Sequence, residues 1–232
     1  MLKSIFVITF SLSFFFVYSS MDLLYKNTDF AISQDDIIPG DEFEMYAENK
    51  EIPEEIRSAT LEALSFFPEL LDTRIDFEFK KNISGSVMQA QPRVRSLLLN
   101  NKKNRRYKIK ISRFLELEDE LVPMEDLPHD VLLGWIGHEL GHIKDYVGRS
   151  SVNLIGFGAK YYCSSRFVTK AEIAADTYAV SCGMGDKLVA TKNFVLNHDR
   201  LPESYKNKIR SLYMSPGEIM SMVEVTEEDD TD

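Results

Sequence analysis

The stretch "GWIGHELGHIKDY", residues 134–146, decides how this chain is interpreted, because it places two histidines one helical turn apart. On a helix, His138 and His142 lie on the same face, where both imidazoles can bind one metal ion. Glu139 lies about 100° further round the helix, beside such an ion, in a position that suits a general base. The alternative is an ordinary helix with incidental histidines, and the pattern by itself allows both.

A catalytic zinc ion takes three protein ligands and keeps one position for water, so a third ligand must lie downstream. One known arrangement would need a glycine at position 145 and a histidine at position 148, but this chain has Asp145 and Gly148. The other common solution is a glutamate on a separate helix, and "KAEIAADTYAV" (170–180) offers Glu172. Asp176, one turn further on the same face, would accept a hydrogen bond from a ligating imidazole and fix its tautomer.

A second interpretation of Glu172 follows from its position three residues after Thr169. This spacing is also that of a capping box, in which the glutamate folds back onto the start of its own helix. If the helix begins at Ser164 or Ser165 instead, Glu172 lies in the helix interior and is free to reach a metal ion. Asp176 and the neighbouring alanines fit only the ligand interpretation, which we therefore prefer.

The segments around these motifs predict an α+β fold. "IPEEIRSATLEALSFFPELL" (52–71) has a helical apolar pattern, and an apolar stripe predicts a longer helix that Pro128 and Asp130 begin and Gly148 ends. Between them, three extended segments predict a small mixed sheet of about three strands, which precedes the zinc-binding helix. These segments are "RIDFEFKK" (74–81), "SVMQAQP" (86–92) and "RYKIKIS" (106–112). Further helices are predicted at about 152–163, 165–182, 186–198 and 203–214.

The two ends of the chain differ from the domain predicted at residues 46–223. Residues 1–20 contain an apolar run from Ile5 to Tyr18, which predicts a signal peptide or an uncleaved N-terminal anchor. Residues 21–45 are predicted to be a leader into the domain. We therefore expect an exported protein, secreted or periplasmic, or one anchored by that segment. Residues 224–232 form an acidic tail that we expect to be solvated. The net charge of −10 argues against nucleic-acid binding, and nothing after residue 20 predicts a membrane-embedded domain.

The combination of H-E-L-G-H with a later E-x-x-A-D-x-x-A resembles the gluzincin zinc peptidases. It is similar in particular to the HtpX and CAAX-prenyl-protease group and to its compact single-domain relatives, the minigluzincins. The resemblance extends over about residues 50–215, and it implies a zincin-like fold with one Zn²⁺ per chain. It also implies that "SVMQAQP" is an edge strand along which an extended peptide or protein substrate binds. The residues that match are His138, Glu139, His142, Glu172, Ala175, Asp176 and Ala179.

These observations predict a zinc-dependent endopeptidase in which His138, His142 and Glu172 bind the metal and Glu139 is the general base. Two alternatives use the same residues: an exported, non-catalytic zincin-fold binding or sensor module, and an aminopeptidase. The resemblance also implies a downstream group that stabilises the oxyanion, for which the sequence offers His198, Arg200 or Tyr205. Whether Cys163 and Cys182 form a disulfide is left open by their spacing.

Overall fold

Residues with alternating apolar and charged side chains form the two long strands of the sheet, as the sequence predicts. The computed structural model describes residues 41–229 except Asn82 and Ser84. In the strand at 106–112, Tyr107, Ile109 and Ile111 are buried, while the lysines between them are partly exposed. The strands of the sheet are β1 (Lys50–Glu51), β2 (Arg74–Lys80), β3 (Met88–Pro92) and β4 (Arg106–Ser112).

The four strands form one mixed sheet in the order β1-β2-β4-β3. Strands β1, β2 and β4 are parallel, whereas β3 runs antiparallel to β4 and lies at an edge, with Ala90 opposite Ile109. The sequence predicted about three strands; the additional strand β1 has only two residues and no alternating pattern that could reveal it. A separate antiparallel ribbon follows, formed by β5 (Phe114–Glu116) and β6 (Leu121–Pro123).

The helices confirm the predicted order of elements, and the four helices expected after residue 150 agree with the structure to within two residues. We number the helices of the described residues in chain order. The first four are α1 (Arg57–Ser65), α2 (Val94–Leu99), α3 (His129–Gly148) and α4 (Ser151–Cys163). They are followed by α5 (Ser165–Ser181), α6 (Gly185–Asn197), α7 (Glu203–Leu212) and α8 (Pro216–Asp229).

Helix α3 lies at the centre of the domain and packs against α1, α5, α6 and strand β3. The predicted apolar stripe of α3 faces the core, with Ile136, Leu140 and Ile143 fully buried. Residues on the other faces of the helix are buried as well. Every residue from 131 to 143 is buried, including the two histidines and Glu139. A helix that is covered on all sides holds its polar side chains away from bulk water, and such groups need partners.

Both ends of the described region are helical. Residues Asp41–Ala47 form a 3₁₀ helix whose Phe43 and Tyr46 pack against the core, and this helix overlaps the end of the leader predicted at 21–45. The acidic tail predicted from residue 224 begins inside α8, which continues to Asp229. Ser215 and Glu218 form a capping box at its start, and no glycine or proline follows Gly217 to end the helix.

The predicted signal peptide or anchor at residues 1–20 lies outside the described residues. Within the described part of the chain, no helix combines the length and the apolar character needed to cross a bilayer.

Candidate metal centre

The site is built where helices α3 and α5 approach each other closely. A Cβ atom at Gly141 would collide with the backbone carbonyl of Ala175, and one at Gly134 with the Thr191 hydroxyl and the Lys187 carbonyl. Only glycine allows this spacing, although each glycine inside a helix costs about 1 kcal/mol relative to alanine. Gly141, the glycine of the H-E-L-G-H segment, therefore allows α5 to pack against the histidine face of α3, and Gly134 allows the same close approach of α6.

Three buried side chains meet at this contact and could hold one metal ion. Glu172 Oε2 lies 3.0 Å from His138 Nε2 and 3.3 Å from His142 Nε2. One ligand atom from each of these residues lies within 4.8 Å of the other two. The structure thus brings together, from two helices, all three residues that the sequence proposed as ligands, although His142 and Glu172 are 30 positions apart in the chain.

The local structure of α5 decides between the two interpretations of Glu172. The helix begins at Ser165, and the hydroxyl of Ser164 accepts a hydrogen bond from the backbone N–H of Phe167. Ser164 is therefore the N-cap, and Glu172 lies two turns inside the helix. The capping box at Thr169 does not form, and the Glu172 carboxylate is free to face the imidazoles.

Asp176 orients His138. Its Oδ1 lies 2.8 Å from His138 Nδ1, and because a carboxylate only accepts hydrogen bonds, Nδ1 carries the proton. Nε2, the nitrogen that faces Glu172, is then the one with a lone pair for a metal ion. The second oxygen of Asp176 accepts from Lys192 Nζ at 2.9 Å and from the backbone N–H of Met214 at 3.1 Å. The predicted role of Asp176 is consistent with this geometry, while Lys192 was not anticipated.

Tyr161 fixes the other side of the Glu172 carboxylate. Its hydroxyl donates to Glu172 Oε1 at 2.5 Å, which leaves Oε2 directed at the two histidines. Tyr161 reaches the site from α4, whose buried residues Leu154 and Phe157 pack on the core beside it. The carboxylate is consequently held at both oxygens and has a single orientation toward the metal position.

Glu139 faces the sheet rather than the ligands. Its Oε2 accepts a hydrogen bond of 2.5 Å from the backbone N–H of Ala90, in edge strand β3. Two backbone hydrogen bonds at the ends of the β3–β4 pair show which side of β3 pairs with the sheet. The Arg93 N–H donates to the Arg106 carbonyl, and the Ser112 N–H donates to the Val87 carbonyl. The Ala90 N–H is on the opposite side, so Glu139 occupies a polar group that an edge strand offers to an added strand.

The charges around the site favour a cation between the ligands. Burial lowers the pKa of His138, but the Asp176 and Glu172 carboxylates outweigh it and raise this pKa to about 10. Burial likewise raises the pKa of Glu172, yet His142 and His138 hold it well below its ordinary value. Glu139 has a raised pKa, mainly because it is buried. The Glu172 carboxylate, which faces Nε2 of both histidines, would attract a divalent ion to the position between them, so the residues fit a metal.

A small pocket, which we call the cavity, borders the site on the side of His138 and Glu139. Aromatic and aliphatic side chains from α3, α6, α7 and β3 form most of its wall. Lys192 is the one lysine among its lining residues, which include no arginine. The Tyr213 ring lies between these groups: its centroid is 5.3 Å from that of His138, and Lys192 Nζ lies 4.3 Å from its centre. His138 and Glu139 both line this cavity, which is partly open to solvent.

The three candidate oxyanion donors lie in different places. Tyr205 lines the cavity together with His138 and Glu139. Arg200 forms a surface ion pair with Glu120, at 3.0 Å, and His198 packs its ring against Phe194 outside the cavity lining. Of the three, the structure thus brings only Tyr205 to the site.

The fourth histidine and the two cysteines lie elsewhere in the domain. His129, the first residue of α3, is exposed, and its Nε2 lies 2.7 Å from a Glu62 oxygen. Cys163 is exposed, Cys182 is partly buried beside Lys144, and neither forms a disulfide.

The chain was compared with family models, with curated proteins and with solved structures, and none of the three comparisons returned a match. The site's own geometry and chemistry therefore carry the functional argument.

Proposed function

We propose that this protein is a zinc-dependent endopeptidase of the gluzincin type. The observation that carries the proposal is the position of Glu172 Oε2, which faces Nε2 of both His138 and His142 while Glu139 lies beside them. The cavity and the edge strand adjoin the same carboxylate of Glu139. A metal position, a base and a surface for an extended peptide are thus adjacent, as hydrolysis of a peptide bond requires.

The donor set supports zinc. Two imidazole nitrogens and one carboxylate oxygen are a typical set for catalytic zinc, whereas calcium and magnesium require oxygen ligands almost exclusively. One ion per chain would be held by His138, His142 and Glu172. When bound, zinc supplies Lewis-acid chemistry, polarising a carbonyl oxygen and lowering the pKa of water.

The remaining chemistry belongs to side chains of this protein. Glu139 would accept the proton of the attacking water and later pass it to the leaving amine. The Ala90 N–H holds the Glu139 carboxylate at the strand where the substrate backbone would lie. Asp176 keeps His138 in one tautomer and orientation, and Tyr161 does the same for Glu172, so neither ligand has to reorganise.

An extended substrate would bind along β3, the edge strand beside Glu139. Two groups on the outward side of this strand are already occupied within the chain. The Ala90 N–H donates to Glu139, and the Met88 carbonyl accepts from the Ser86 hydroxyl at 2.5 Å. A substrate that adds as a strand must therefore replace these two internal hydrogen bonds, which favours peptides whose side chain also fills the cavity.

The same internal bonds favour a second candidate function, a metal-binding module without catalysis. In that case Glu139 would be a structural acceptor for the Ala90 N–H, and the closed edge would be permanent. Peptide turnover distinguishes the two candidates, because both predict a bound metal.

The test is to measure metal content and peptidase activity of the purified protein and of Glu139→Gln. The endopeptidase proposal predicts one zinc per chain in both, and cleavage of casein or an internally quenched peptide by the unaltered protein alone. We expect a loss of at least about 100-fold in kcat for the variant, which is the usual contribution of a general base. A substrate with a blocked N-terminus should still be cleaved, which would exclude an aminopeptidase.

His129→Asn is the matched control for the ligand variants, since His129 is exposed and pairs with Glu62 rather than with any of the three proposed ligands. It should leave metal content and activity unchanged, whereas His142→Asn should lose both. Zinc at one equivalent with no turnover of any peptide would support the metal-binding module, and protein without metal affinity would overturn both functions.

A further inference from the structure

Helix α4 exposes an apolar stripe that nothing in the described chain covers. Val152, Ile155, Ala159 and Tyr162 recur at helical spacing and are all exposed, with Val152 at 81% and Tyr162 at 91%. The helix buries a different face, through Leu154, Phe157 and Tyr161. A surface helix normally keeps its outer face polar, so a helix with two apolar faces indicates a second contact for the outer one.

A second set of exposed apolar residues lies next to the start of helix α4. Helix α2 exposes Val94, Leu98 and Leu99, the last at 72%. The turn after α2 touches the junction between α3 and α4, since Lys102 Nζ donates to the Gly148 carbonyl at 2.9 Å. Arg105 donates to the Arg149 carbonyl at 2.7 Å from the same turn. The two apolar groups thus belong to neighbouring parts of the surface.

The charge of this region opposes that of the whole protein. The chain carries a net charge of −10, yet it has no acidic residue between Glu78 and Glu116, and none between Asp145 and Glu172. In the described residues, the exposed cations here form no ion pair with a carboxylate: Arg95, Lys102, Lys103, Lys160, Arg166 and Lys170. We call these cations, with the exposed apolar residues of α2 and α4, the apolar–basic surface.

We propose that the apolar–basic surface docks on an anionic lipid bilayer. Exposed aliphatic residues next to unpaired lysines and arginines are the composition of interfacial helices, which insert the apolar side chains between headgroups while the cations contact lipid phosphates. Tyr162, at the end of the stripe, has the amphipathic ring that is enriched at membrane interfaces. The bilayer occupies the surface without entering the core, and the metal centre is not involved.

A second copy of the chain fits this surface poorly. In a two-fold dimer the same patch faces itself, so the six cations would meet six more with no carboxylate between them. Protein–protein interfaces are also depleted in lysine, which this surface contains in quantity. An anionic bilayer supplies the missing negative charge over the whole area, and this complementarity selects it as the partner.

The experiment is cosedimentation of the full chain with vesicles of phosphatidylcholine, with and without phosphatidylserine. We expect binding to the anionic vesicles that weakens as salt rises. The double variant Val152→Ser, Ile155→Ser should lower the partition coefficient at least about tenfold, because each side chain loses its burial in the bilayer. Lys160→Glu with Arg166→Glu should lower it about tenfold on anionic vesicles and have little effect on neutral ones.

Leu121→Ser and Val225→Ser are the matched controls, since these aliphatic residues are 58% and 59% exposed but lie among acidic neighbours. They should bind vesicles like the unaltered chain. The N-terminal apolar run is present in every variant, so equal binding by all of them would assign lipid affinity to that run and overturn the proposal. Absence of vesicle binding, with self-association that Val152→Ser, Ile155→Ser abolishes, would overturn it in favour of a second copy.

Discussion

Lys192 and Asp176 form an ion pair of 2.9 Å that is almost entirely removed from solvent. The pair lies on the Nδ1 side of His138, opposite the nitrogen that faces Glu172 in the candidate metal centre. Asp176 has one oxygen on His138 and the other on Lys192 and the Met214 N–H. The carboxylate therefore cannot rotate without breaking hydrogen bonds at both of its oxygens. Through this pair, helix α6 determines the orientation of an imidazole on α3.

Replacing Lys192 by methionine should destabilise the domain by about 3 kcal/mol, because it leaves a buried carboxylate without its cation. Thermal and denaturant unfolding would measure the loss. Lys187→Met is the matched control on the same helix, since Lys187 pairs with Asp130 at the surface and such pairs contribute less than about 1 kcal/mol. Equal effects of the two substitutions would show that the buried pair has no special energetic role.

Removing the Tyr161 hydroxyl should weaken metal binding by about tenfold, with little change in stability. The hydroxyl holds Glu172 Oε1, and without it the carboxylate can turn away from the two histidines. Competition with a chelating dye would measure the affinity of Tyr161→Phe. The neighbouring Tyr162→Phe is the control, since that ring is exposed and far from any ligand contact. An unchanged affinity in Tyr161→Phe would mean that Glu172 is oriented by the histidines alone.

Alanine at Gly141 should separate α3 from α5 and reduce both stability and metal content. The added methyl group meets the Ala175 carbonyl, a backbone atom that cannot move without shifting the whole helix. Overpacking of this kind costs about 1–3 kcal/mol. Gly148→Ala, at the end of the same helix, meets no atom within 4 Å and should be neutral. A Gly141→Ala protein with normal zinc content would refute the argument from close helix approach.

Removal of the metal should lower the midpoint of thermal unfolding, and added zinc should restore it. An ion that binds only the folded state stabilises it by about 4 kcal/mol at a free concentration of 1,000 times its Kd. The His142→Asn protein should show no such response, while His129→Asn should respond like the unaltered chain. An unfolding midpoint that is indifferent to both chelator and zinc would argue against a metal at this site.

The sequence predicted those parts of the site whose spacing is fixed by a single helix. His138 and His142 on one turn of α3, and Glu172 and Asp176 on one turn of α5, follow from helical periodicity. The meeting of the two helices was an expectation from the three protein ligands that a catalytic zinc ion takes, and the geometry agrees with it. The predicted helices are confirmed. They could be predicted because their apolar patterns extend over several turns and agree with the residues that begin and end each helix.

The residues that the sequence did not reveal reach the site from other elements. Lys192 on α6 and Tyr161 on α4 carry no local pattern that separates them from ordinary surface residues. The Ala90 contact involves a backbone N–H, which every residue except proline has, so no side chain signals it. The end of α8 was also missed, since a run of acidic residues suggests a solvated tail even where no residue stops the helix.

The hydrogen bond between the Ala90 N–H and Glu139 makes one amide proton a reporter of what happens in the cleft. This proton is buried and bonded to a carboxylate, so it should exchange with deuterated solvent far more slowly than the Met88 N–H, the other amide on the outer side of β3. Any molecule that recruits Glu139, or that adds a strand to this edge, changes the bond on which the slow exchange depends. The nuclear magnetic resonance signal of that single group would then register occupancy of the cleft without any turnover.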